Sequence, residues 1–128
     1  MTKEKKELLL KDLCARIFYG VKVQYMNNIF VIDYISPMYE DVKFDTSGNW
    51  TVSVSEVKPY LFPLSSMTKK QQKKFDQLIE LELKAINDEI IHTQVTAFEV
   101  DFYNKTHFDY RGLIEKGLVI DVSNLNIY

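Results

Sequence analysis

One cysteine, two histidines, three prolines and four glycines are all that this chain of 128 residues holds of the residues with special chemistry. A lone Cys14 cannot close an internal disulfide and fits a reducing compartment. Two histidines and one cysteine give no zinc-type ligand spacing. The scattered glycines form neither a phosphate-binding loop nor a dinucleotide fingerprint. No apolar run approaches the roughly 20 residues of a membrane span, and "MTKEKKELLLKDL" is too charged for a signal peptide. A dominant charge is missing as well. Sixteen Lys and Arg stand against 18 Asp and Glu, a net charge of −2, which argues against nucleic-acid binding driven by bulk electrostatics. These absences predict a cytoplasmic protein with no catalytic residues, no cofactor and no metal.

What is present is aromatic. Eight Phe, eight Tyr and one Trp exceed what one small core needs, so some rings are expected at the surface. The length suits a single domain over 1–128, large enough to bury a core without disulfide or metal.

Thr2 to Phe18 reads as an amphipathic helix, with Leu9, Leu10, Leu13, Ile17 and Phe18 on its apolar face. Lys11 and Asp12 are assigned to the polar side, and Cys14 to the buried side as a small hydrophobe. Thr2 is a candidate cap and Gly20 a terminator. From Val21 the period becomes two. "VKVQYM" and "IFVIDYI" flank a turn at Asn27–Asn28, and "EDVKF" and "WTVSV" flank the loop "DTSGN". In "VKPYLFPL", Pro59 and Pro63 argue against a regular central strand, so the segment is read as a tight turn laid against the sheet.

Thr68 and Gln71 have the spacing of a capping box, which starts a helix carrying Phe75, Leu78, Ile79 and Ile86. That helix is expected to bend or end near residue 90, with a new one starting at Thr93. Residues 94–103 fit either a helix or a strand. "YRGLIEKG" reads as one or two helical turns ended by Gly117, "LVIDV" as extended, and apolar Ile127 and Tyr128 as a tail that packs down. The predicted fold is α+β: a small antiparallel sheet or SH3-like barrel over 21–61, packed by the helix at 2–18 and by a mainly helical part at 68–128.

Three constellations compete for function. Lys69, Lys70, Lys73 and Lys74 crowd a helix start, where the dipole disfavours them by a few tenths of a kcal/mol each. They are either a solvated face or a phosphate contact, with Tyr60 or Phe62 as the stacking partner. His107, Asp109 and Arg111 lie within five residues. They form either an orienting pair with an anion clamp, or a helix cap and a structural ion pair. Trp50 either fills a small core or stacks on a ligand. The candidate ligand-binding residues are therefore Tyr60, Lys69, Lys70, Lys73, Lys74, His107, Asp109 and Arg111.

Three stretches carry a resemblance: "KELLLKDLCARIFYGVKV", "VKPYLFPLSSMT" and "HFDYRGLIEKGL". They resemble short proteins of gut Bacteroides-type phages and prophages, over nearly the whole chain. The resemblance implies an accessory protein acting inside a bacterial host and carries no catalytic residue with it. After "SSMT" acidic residues are expected in that group, whereas this chain has "KKQQKK", which favours the solvated-face reading of the lysines. The expected function is non-enzymatic binding, to a host protein or a small anionic signalling nucleotide. The alternative is a small barrel that binds nucleic acid through its lysines. An open strand edge would also allow homo-oligomers.

Overall fold

The structure, a computed structural model, describes residues 1–46, 50–85 and 99–128, with the side chains of 81–85 excepted. Helix α1 (Lys3–Arg16) starts at Thr2, whose hydroxyl accepts the Lys5 amide at 3.2 Å. Its buried face is centred on Leu9, Leu13 and Arg16. Cys14 falls outside that face and is exposed, so the expectation of a buried thiol is corrected. Asp12 is corrected in the other direction: it is fully buried. The helix stops at Arg16, tightens into a 3-10 turn over Ile17–Tyr19 and ends at Gly20 with φ +69°. The tighter winding swings Phe18 off the apolar stripe and leaves it 92% exposed.

Strands β1 (Lys22–Tyr25) and β2 (Asn28–Ser36) form an antiparallel hairpin. Its two-residue turn is Met26–Asn27, one position before the expected one, and both residues have positive φ as such a turn requires. Strand β3 (Asp41–Phe44) pairs with β2 across a bulge between Ile32 and Tyr34, and β4 (Val52–Ser53) pairs with β3. The loop expected at 45–49 lies partly outside the described residues. Helix α1 covers the inner face, where Leu9, Leu10 and Leu13 meet Val23, Ile32, Val42 and Phe44.

The segment read as a tight turn is strand β5 (Lys58–Pro63), antiparallel to β1. Two later strands join it in parallel, β6 (Phe108–Asp109) at Phe62 and β7 (Ile120–Asp121) at Tyr60 and Leu61. The prolines are tolerated because of where they point. The Phe62 amide donates to the His107 carbonyl, while the Leu61 carbonyl accepts from the Val122 amide. Successive residues thus serve opposite edges, and Pro59 turns its missing donor away from β1. The result is an open, mostly antiparallel seven-stranded sheet in an α+β fold.

Helix α2 (Lys69–Ala85) begins with the capping box the sequence announces. The Thr68 amide donates to Gln71 Oε1 at 2.9 Å, and the Gln71 amide donates to Thr68 Oγ1 at 3.1 Å. Residues 99–105 form helix α3, which settles the helix-or-strand alternative for that stretch. The helix break near 90 and the start at Thr93 lie outside the described residues. Phe75 of α2 packs on Phe102 and Tyr103 of α3.

The expected helical turns at 110–117 are one closed turn. Leu118 N–H donates to the Leu113 carbonyl and Gly117 N–H to the Ile114 carbonyl, with Gly117 at φ +72°. This is the Schellman pattern, and its hydrophobic pair is Leu113 with Leu118, both buried beside Leu61. Among the described residues no helix is long and apolar enough to cross a membrane.

Candidate binding site

The densest polar structure lies where α1 meets the 103–111 segment. Asp12 holds Arg16 Nε at 2.9 Å through one oxygen and Arg111 Nε at 3.1 Å through the other. Arg16 reaches on to the Phe108 carbonyl at 2.6 Å and the Tyr103 carbonyl at 3.4 Å. Arg111 donates to the Tyr110 hydroxyl at 2.9 Å, and both guanidinium groups stand over the Tyr110 ring. Two cations thus share one carboxylate, and carbonyl oxygens and a ring face supply the remaining negative charge. The Asp12–Arg16 spacing of four was the available signal, because such a pair on one helix face can bond directly.

The residues singled out at 107–111 separate into different tasks. Asp109 accepts the Leu113 amide at 3.0 Å and the Ile114 amide at 2.9 Å, and so launches the turn that follows. Arg111 is held by Asp12, which leaves it no pose as a bidentate clamp on an external anion. His107 sits at φ +63°, with its ring 3.7 Å from that of Tyr128 and nearly parallel to it. Its Nδ1 is buried with no hydrogen-bond partner. Burial, with Arg16 and Lys22 adding to it, pushes its pKa down to about 4. His107 and Asp109 therefore do not orient one another.

Of the remaining candidates, Tyr60 is only 5% exposed, and its carbonyl is taken by the Tyr128 hydroxyl at 2.8 Å. That burial corrects its role as a stacking platform. Phe62 is half-buried between Phe108 and Tyr128. Lys69, Lys70, Lys73 and Lys74 are all exposed on the first turns of α2. Trp50, read either as filling a small core or as stacking on a ligand, is 53% exposed, with its ring against Tyr25.

A cleft of about 400 Å³ opens between Pro63, Leu64 and Ser65 on one side and Asp109, Tyr110 and Glu115 on the other. Of the candidate residues it contains only Asp109. Among the described residues no three His, Cys, Asp or Glu side chains come together as metal ligands. Large apolar side chains are left outside: Met38 and Tyr39 in the β2–β3 connection, which the sequence did not single out, and Phe18 after α1, which it placed on the apolar face. Compared with protein-family models, curated proteins and solved structures, the chain matches none.

Proposed function

We propose that the protein is a non-enzymatic, phage-encoded accessory protein. It binds a host protein in the bacterial cytoplasm, and the rings outside its core make the contact. The observation that supports this reading is the exposure of Phe18, at 92%, and of Tyr39, at 75%. Large rings of this kind anchor protein interfaces, because they bring much apolar area at little entropy cost. Asp109 is meanwhile engaged by the Leu113 and Ile114 amides, and Arg111 is committed to Asp12. That favours a protein partner over a small signalling nucleotide.

The test uses tagged protein and bacterial host lysate. A partner should be retained by the native chain, and purified partner should bind at least tenfold more weakly to Phe18→Ala or Tyr39→Ala. Equal retention by the native chain and by the double variant would end the proposal.

The nucleic-acid alternative draws on one observation, the exposure of all four lysines on α2. It requires salt-sensitive binding to DNA or RNA that disappears when those lysines become glutamates. Binding that survives the exchange disposes of it.

A further inference from the structure

The register of β1 against β5 places Val23 opposite Pro59 and Gln24 opposite Lys58. Continued by one step, it would place Lys22 opposite Tyr60. The Lys22 amide is not paired directly with the Tyr60 carbonyl. The Tyr128 hydroxyl stands between them, accepting the Lys22 amide at 2.9 Å and donating to the Tyr60 carbonyl at 2.8 Å. A side-chain oxygen here takes the place of one ladder hydrogen bond.

The ring that carries this oxygen is also enclosed. His107 lies flat on it at 3.7 Å and 9°, and Phe62 leans against it at 6.1 Å. The Lys22 ammonium stands 5.5 Å from its centre and donates to the Ile127 carbonyl at 2.7 Å. Each wall is supplied by an element other than the tail itself: β1, β5 and the turn before β6. Tyr128 is nevertheless 37% exposed, so the seat opens to solvent.

We propose that this seat is a binding site for a phenol ring, filled here by the chain's own Tyr128 and available to a tyrosine side chain of another molecule when Tyr128 withdraws. The selectivity follows from the hydroxyl. A phenol satisfies both the Lys22 amide and the Tyr60 carbonyl, whereas a benzene ring leaves a donor and an acceptor facing each other unpaired. The parallel histidine face suits any flat ring, so it contributes affinity without discrimination. The seat exists whether or not Phe18 and Tyr39 recognise a partner.

The experiment uses the full-length chain carrying Tyr128→Ala, titrated with p-cresol and with toluene and followed by amide chemical shifts. Cresol should saturate the variant and move the Lys22 and Tyr60 signals. It should bind at least tenfold more tightly than toluene, and at least tenfold more tightly to the variant than to the native protein. Equal affinity for the two probes, or no response to cresol, overturns the proposal.

Because Tyr128→Ala removes a packed ring and can lower stability, Tyr128→Phe supplies a second reading that keeps the fold. Hydrogen exchange at the Lys22 amide should then quicken about tenfold while the Val23 amide is unchanged. An unaltered Lys22 rate shows that the hydroxyl is not the key, and the site fails.

Discussion

Asp12 and Arg16 stand one turn apart on α1, both fully buried and bonded at 2.9 Å, with Arg111 arriving from 99 residues away to share the same carboxylate. Removing the anion leaves two guanidinium groups facing each other in a site with little water. Asp12→Ala should therefore cost about 3–5 kcal/mol, the range for a buried pair broken on one side. Urea denaturation measures this, and a loss below about 1 kcal/mol would show that the carboxylate is dispensable.

His107 sets a pH dependence. Its pKa lies near 4 in the folded chain, against about 6.5 unfolded. The unfolded state thus binds more protons between those values. Stability is full above about pH 6.5 and falls as pH drops towards 4. The shift corresponds to at most about 3 kcal/mol, less after solvent screening of a partly open group. In His107→Gln the slope between pH 4 and 6.5 should flatten, as read from denaturation midpoints across that range.

Asp109 and Gly117 bound the same turn from its two ends. Asp109→Ala removes the acceptor for two amides and should cost about 1–2 kcal/mol. Gly117→Ala meets no atom within 4 Å of the added carbon, so its cost is conformational alone, about 1 kcal/mol from φ +72°. Thermal unfolding of the two single variants separates a lost cap from a strained backbone.

The lysines of α2 give a prediction of opposite sign. Replacing Lys69 and Lys70 by glutamate puts negative charge at the positive end of the helix dipole. Stability should rise by a few tenths of a kcal/mol per residue at low salt, with the gain fading as salt is added. A loss of stability would mean that these lysines are held by contacts within the protein.

Much of the fold is legible in the chain because local rules govern it. Thr2, Thr68 and Gln71 cap as their spacing says, and the change of period at Val21 marks the entry to the sheet. The β5 assignment was illegible because two prolines near a strand's ends look the same in sequence as two inside it. Only the partner edges show that Pro59 faces away from β1. Asp12 was misplaced for a similar reason: an isolated aspartate belongs outside, and its burial depends on Arg111, distant in sequence. Of the candidate site, the segment 107–111 was visible as a dense polar run. The division of His107, Asp109 and Arg111 among a stacked ring, a turn cap and an ion pair was not, because each partner comes from another element.

The parallel pairing of β5 with β6 and β7 also bears on the order in which the chain can assemble. The hairpins from Lys22 to Ser53 close loops of a few residues, but β5 cannot complete its ladder until residues 108 and 120 are present. Closing loops of that length is entropically slow, and on a growing chain it comes after the local hairpins. Until then Asp12 and Arg16 hold each other without Arg111, and newly made protein carries an unfinished seam that only the segments around residues 108 and 120 can close.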